Sequence, residues 1–338
     1  MMYTLRIVSV TFLLMIFTAN SQAKIVFSAI HNENSNIYVM DDDGSNIRQI
    51  TNTPYYDKSP YWSPNGKRIA FIRIKTLPDQ KGNTDIYTMY ADGSNIQQLT
   101  YLDLGMIDLA FSPDGKRIVF TQNLSDQSVF DIDTGEVNQI LRSHINQIDW
   151  SPDGKTMIFV NDSHQFISKD LWMMDANGDN PRKWTKPDPE KDPRNHYYPR
   201  WSSDGKKILY CEAKFNFEAV EVEDGVIFKM WAKGQFLYII HNIQDDGTEI
   251  LDIPDNWFCS SLSWMNDQQM VLFSAYEYKK ERFTKPAYNI YKYDLSSNQF
   301  IHMTEGLGAD WHEGRLEVTP VGKKSIRWSE LKKAYSGR

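Results

Sequence analysis

Cysteine is nearly absent. Cys211 and Cys259 are the only two among 338 residues, which excludes a disulfide scaffold and a Cys-rich zinc site. Neither sign of charge dominates: Lys+Arg 37 against Asp+Glu 44 leaves a net −7. Without a basic excess, the footprint of a nucleic-acid or anionic-membrane binder is missing. No apolar run reaches the roughly 20 residues that a membrane-spanning helix needs. Common catalytic motifs are missing as well. Gly154-Lys155-Thr156 has the outline of a phosphate-binding loop, but Asp149 stands where that motif needs glycine. There is no Gly-x-Ser-x-Gly elbow to present a nucleophilic serine. His312-Glu313 lacks the second histidine of a zinc-protease helix. Asp41-Asp42-Asp43-Gly44 has the outline of a calcium loop, yet its twelfth position is Asn52 rather than a bidentate Glu. A hairpin turn is the better reading.

What remains is a packed, aromatic-rich chain. Apolar residues make up 41% and charged residues 24%, which excludes wholesale disorder. Aromatics at 13%, with Trp 10 and Tyr 18, favour strands. At the start, Arg6 precedes the apolar run Ile7–Phe17, and Ser21-Gln22-Ala23 follows. That three-part pattern predicts a secretory signal over residues 1–23, cleaved after Ala23. No Cys follows the apolar run, so no lipid anchor is expected, and the mature protein is expected to be periplasmic or secreted.

Two phrases then alternate. The first is YWSPNGKRIAFIR (61–73), AFSPDGKRIVFTQ (110–122), DWSPDGKTMIFVN (149–161) and RWSSDGKKILYCE (200–212), with decayed copies at 263–275 and 310–322. The second begins NIYVMDDDGSNIRQIT (36–51) and DIYTMYADGSNIQQLT (85–100) and recurs four more times. The aromatic anchors of the first phrase are Trp62, Phe111, Trp150, Trp201, Trp264 and Trp311, spaced by 49, 39, 51, 63 and 47 residues. After each anchor, Ser-Pro-Asp-Gly supplies the fixed φ, the side-chain cap and the positive φ of a tight turn. Lys-Arg-Ile-Ala-Phe then alternates with period two, the pattern of a half-buried strand. Asp-Gly between alternating runs marks a hairpin in the second phrase. Four strands per unit at a period near 50 describe one propeller blade. Six copies of each phrase predict an all-β, six-bladed β-propeller of four-stranded antiparallel blades over residues 24–322. The first blade lacks its inner strand at the N-terminal end. The C-terminal strand near 308–318 is expected to complete it, closing the ring without a free sheet edge. Residues 323–338 form a basic end, either a solvated tail or a short helix.

WSPDGKRIAF followed by IYVMDADGSNxxQLT resembles the repeat of the TolB-like six-bladed propellers (the PD repeat, WD-repeat-like). The resemblance covers residues 25 to about 320 and is strongest in four of the six units. It implies a rigid binding scaffold, here without the additional domain that precedes the propeller in TolB. Oligogalacturonate lyases carry a related propeller in which clustered histidines hold a metal. The same resemblance therefore leaves open a carbohydrate-active enzyme built on some of His31, His144, His164, His196, His241, His302 and His312.

Scaffold positions repeat, whereas a binding surface needs different chemistry at each blade. Repeat-breaking polar residues just ahead of the anchors are Asp57, Asp108, Asp149, His196, Tyr198, Arg200 and Asp310, candidates for a polar axial pocket. The alternative is that they only satisfy strand ends and interblade hydrogen bonds. The longest anchor interval holds an insertion, residues 214–235, with Phe215, Phe217, Phe228 and Trp231. It reads as a protruding hairpin, either an edge for a partner or a lid over the channel. Cys211 and Cys259 fall in different blades, so two free, buried thiols are expected. The sequence thus predicts a monomeric, non-catalytic binding or scaffold protein with no cofactor or metal, whose partner is a protein or polysaccharide of the cell envelope.

Overall fold

The computed structural model describes residues 24–31, 34–77, 80–102, 105–122, 126–142, 145–162, 169–185, 194–222, 225–265, 268–277 and 287–312. Residues 1–23, expected as a signal segment, the expected basic end 323–338, His144 and His164 lie outside the described residues. No α-helix occurs among the described residues, and no helix there is long and apolar enough to cross a membrane.

The strands follow the two repeated phrases. In chain order they are β1 (Lys24–His31), β2 (Asn34–Asp41), β3 (Arg48–Gln49), β4 (Tyr56–Trp62), β5 (Arg68–Leu77), β6 (Gln80–Tyr90), β7 (Gln97–Gln98) and β8 (Met106–Phe111). Then come β9 (Arg117–Gln122), β10 (Asp126–Asp131), β11 (Val137–Arg142), β12 (Ile145–Trp150), β13 (Thr156–Asn161), β14 (Asp170–Asp175), β15 (Arg182–Lys183) and β16 (Arg194–Trp201). The last are β17 (Lys207–Val222), β18 (Gly225–Asn242), β19 (Thr248–Ile250), β20 (Trp257–Met265), β21 (Met270–Glu277), β22 (Asn289–Asp294), β23 (Gln299–Glu305) and β24 (Leu307–His312).

Each Ser-Pro-Asp-Gly turn forms by the same local bonds. In the turn after β8, Ser112 Oγ accepts the Arg117 amide at 3.0 Å, the Asp114 carboxylate accepts the Lys116 amide at 3.1 Å, and Gly115 takes φ 69°. Ser151 and Ser202 repeat the pattern. The Asp41–Gly44 segment is the hairpin turn expected: Asp43 Oδ1 accepts the Ser45 amide at 2.8 Å, and Asp41 is bonded by Asn46 and paired with Lys24.

The strands assemble as a propeller of four-stranded antiparallel blades. Four sheets stand apart: β8–β11, β12–β15, β16–β19 and β20–β23. The remaining eight strands form one sheet, ordered β24-β1-β2-β4-β5-β6-β7, with β3 on β2. This differs from six equal sheets, and the cause is a single parallel bridge, Ser35↔Tyr56, between β2 and β4. Strand β24 pairs antiparallel with β1 through Lys24↔His312, Ile25↔Trp311 and Val26↔Asp310. Ser28 Oγ adds a bond to the Leu307 carbonyl at 3.0 Å.

The core lies between sheets. One cluster packs β1 and β2 on β4–β6 through Val26, Ile37, Trp62 and Phe71, and the next packs β5 and β6 on β8–β10. Others continue from β9–β10 to β12–β14, from β13–β14 to β17–β18, and from β17–β18 to β20–β22. Phe27, Met40, Met265 and Leu272 return the path to β1, β2 and β24. Since each face is buried only by its neighbour, the blades stabilise one another.

Candidate functional site

The inner strands converge on a cavity of about 390 Å³ at the end where each runs into its Ser-Pro-Asp-Gly turn. All six anchors, Trp62, Phe111, Trp150, Trp201, Trp264 and Trp311, line it. A local deformation recurs on the way there. Ser59, Gln147 and Tyr198, each three residues before its anchor, take φ of 51°, 52° and 53°, and the strand register shifts beside each of them. Left-handed conformations of this kind are costly for residues other than glycine. They mark β-bulges, which bend a strand and re-aim the side chains that follow. The bulges on β12 and β16 are tied together, because the Tyr198 amide donates to Gln147 Oε1 at 2.8 Å.

After the bulge comes the residue before the anchor, and these residues build a closed hydrogen-bonded circuit around the axis. From β24, Asp310 Oδ2 accepts the Trp62 amide of β4 at 2.9 Å. From β4, Tyr61 Oη donates to Asp149 Oδ1 of β12 at 3.2 Å, reaching past Ala110 of β8, which has no polar group to offer. Asp149 Oδ2 accepts the Trp201 amide of β16 at 2.8 Å. Arg200 Nε donates to the Leu262 carbonyl of β20 at 3.0 Å, and Trp264 Nε1 answers to the Arg200 carbonyl at 3.2 Å. Ser263 Oγ of β20 donates to Asp310 Oδ1 at 3.1 Å, which completes the circuit.

The electrostatics centre on Arg200. Burial works against its charge, but Tyr61, Asp149, Asp108 and Asp310 around it prevail and push its pKa up. Burial raises the carboxyl of Asp149, against Arg200 and the Trp201 amide, and raises Asp310 to about 6. Burial and the two carboxylates also hold the Tyr61 phenol protonated. At the rim, burial lowers the pKa of His312, so its imidazole is neutral, and its ring lies 6.0 Å from that of Trp62. Gly66 is needed beside it, because a Cβ there would stand 2.3 Å from the His312 ring. The indole Nε1 groups of Trp62, Trp150, Trp201 and Trp311 are buried without an acceptor in the structure. The site therefore offers one fixed guanidinium and aromatic walls, the equipment for orienting an acceptor-rich ligand.

Of the residues singled out from sequence, Asp149, Arg200 and Asp310 meet at this cavity. The others lie elsewhere on the inner strands. Asp57, fully buried at the far end of β4, is held bidentate by Arg73 at 2.7 and 2.9 Å. His196, also buried, bonds the Lys169 carbonyl at 2.7 Å and faces Glu212 at 3.6 Å. Tyr198 occupies a bulge, and Asp108 lies on β8 outside the cavity lining, its carboxyl raised by burial against Arg200 and its Oδ2 unpartnered. His196 and His312 stand at opposite ends of the inner strands, while His241 pairs with Asp246 and His302 bonds Asn289. Among the described residues no three His, Cys, Asp or Glu side chains converge on one point. The insertion is a continuous hairpin of β17 and β18, with Ala219 opposite Phe228 and Asn216 opposite Trp231. The side chains of Phe215, Phe217, Phe228 and Trp231 lie outside the described residues. Tyr61 and Ser263 were missed, although they occupy the same position before the anchor as Asp149 and Arg200; that shared position was the available signal.

Comparison with known proteins agrees with this architecture. TolB from Acinetobacter baumannii superposes with a TM-score of 0.64 at 18% identity, over 86% of this chain and 66% of that one. An oligogalacturonate lyase in complex with manganese gives 0.53 at 14% identity, over 83% and 74%. A chain of a nidogen/laminin complex gives 0.60 at 11%, over 86% and 98%. Likeness at such identities carries the fold alone. Among curated proteins, none matches the sequence. The family model of the TolB beta propeller domain, PD40, matches residues 17–194, more than half of the chain. The chain is a member of the TolB β-propeller domain family.

Proposed function

We propose that this chain is an exported, six-bladed propeller of the cell envelope that acts as a non-catalytic binding or scaffold protein, with its partner seated at the axial cavity. The domain reading is a signal segment over 1–23, the propeller over 24–322 and a basic end over 323–338. Six blades follow if the eight-stranded sheet is two blades joined by the Ser35↔Tyr56 bridge, and the succession of apolar clusters from sheet to sheet supports that division. The observation that carries the functional reading is the circuit itself. Tyr61, Asp149, Arg200, Ser263 and Asp310 fill one repeat position with four different residue types, and together they fix a polar ring inside aromatic walls. Its carboxylates are engaged by amides and hydroxyls, while the Arg200 guanidinium retains donors. A protein segment or a polysaccharide, rich in acceptors, fits that demand.

Capture from envelope extract on the immobilised protein, beside a glycan array, tests this. Arg200→Ala is expected to lower retention of the captured partner at least tenfold, the loss typical of a desolvated anchor. Retention unchanged by Arg200→Ala places the partner elsewhere. One observation keeps a second reading alive: His312, neutral and at the cavity rim, could serve a carbohydrate-active enzyme as a metal ligand or base. Stoichiometric manganese or zinc in the purified protein, lost on His312→Ala, would favour that reading.

A further inference from the structure

The two cysteines stand in different sheets, yet the fold brings them together. Cys211 on β17 and Cys259 on β20 are 0% and 1% exposed and belong to one apolar cluster with Tyr238, Phe236 and Phe273. Tyr238, the register partner of Cys211, reaches across to the Trp257 carbonyl, two residues before Cys259, at 3.3 Å. Cys211 Sγ donates to the Glu212 carbonyl at 3.9 Å and Cys259 Sγ to the Ser261 carbonyl at 3.6 Å, Cys259 stands near enough to help burial push up the Cys211 thiol, and both are free. Both thiols are free and buried, as expected from the sequence, yet β17 and β20 face each other across a shared core. Nothing in the axial site uses either sulfur.

We propose that Cys211 and Cys259 are a disulfide-forming pair that fastens the β16–β19 sheet to the β20–β23 sheet. The chemistry is thiol–disulfide exchange. One thiol, deprotonated, attacks a small-molecule or protein disulfide, whose first sulfur leaves as a thiol. The second cysteine then displaces the remaining sulfur, forming the Cys211–Cys259 bond and releasing a second thiol. The protein loses two protons and two electrons, and the donor disulfide gains both. Burial pushes the Cys211 thiol pKa well up, so exchange in the closed protein is slow. The bond therefore forms while the two sheets are still docking, or during local opening, and an oxidising compartment retains it. Cross-linking across this interface closes a loop in the unfolded chain, lowers its entropy and so stabilises the folded one.

The full chain, refolded with oxidised and reduced glutathione, tests the pair. Intact mass should fall by two hydrogen atoms against the reduced protein, with a linked peptide containing both cysteines. Melting should rise by roughly 5–10 °C and return to the reduced value on adding a reductant. Cys259→Ser should fold and melt like reduced wild type with no mass loss; Cys211→Ser provides the same control from the other sheet. Two titratable thiols in the folded, oxidant-treated monomer, or glutathione adducts in place of the internal bond, would overturn the proposal.

Discussion

Asp310 shows how one side chain can do two jobs. It holds the Trp62 amide and the Ser263 hydroxyl, so it ties β24 to β4 and to β20. Burial lifts its pKa from the model-compound 3.8 to about 6, against Arg200, and Tyr61 and Asp149 share the site. A carboxyl whose folded pKa is raised binds its proton more tightly in the native state. Its contribution to stability is complete below the unfolded pKa and is lost as pH rises through about 6. At 1.36 kcal/mol per pH unit the difference amounts to at most about 3 kcal/mol. Asp108 and Asp149 shift in the same direction, so the informative quantity is the difference between Asp310→Asn and wild type. In urea titrations between about pH 4 and pH 7, that difference should grow in favour of the variant as pH rises. Parallel curves would show that Asp310 is ionised without penalty.

At the scale of the strand, the same residue type serves different ends according to which end of the inner strand it occupies. Asp57 lies near the start of β4 and is fixed by Arg73 of β5, whose guanidinium also lies 4.8 Å from the Tyr87 ring centre. Removing the carboxylate leaves a buried, unpaired cation. Asp57→Ala should therefore cost about 3–5 kcal/mol in denaturant unfolding. It should leave partner capture by the folded protein unchanged, because Asp57 does not line the cavity. Capture lost with stability intact would reverse the assignment. This contrast also marks what was legible in the sequence. Turns and strands were readable because Ser-Pro-Asp-Gly and the period-two runs act locally. The pairing of β24 with β1 was readable because the repeats were out of phase at the two ends. Membership of the cavity was not: Asp57 and Asp149 both break the repeat, and only the bulges at Ser59 and Gln147 and the direction of each strand separate far end from mouth. That Cys211 and Cys259 share one core was hidden for a related reason, since sequence assigns strands to sheets but does not say which faces meet across it.

For the whole molecule, binding and stability share one element. Strand β24 supplies Asp310, Trp311 and His312 to the cavity and pairs with β1, so the seam of the ring is also part of the site. Every sheet buries its apolar faces only against its neighbours, and losing one inner strand therefore exposes Ile25 and Phe27, both fully buried, and opens the circuit. The most direct measurement compares thermal unfolding and oligomeric state of the full chain, a chain ending at Gly306 and a chain ending at Trp328. The account predicts that the chain ending at Gly306 aggregates or loses its cooperative transition, whereas the chain ending at Trp328 stays monomeric and melts with the full protein. A chain ending at Gly306 that remained monomeric and melted like the full protein would contradict it, because the ring would then be closed without β24.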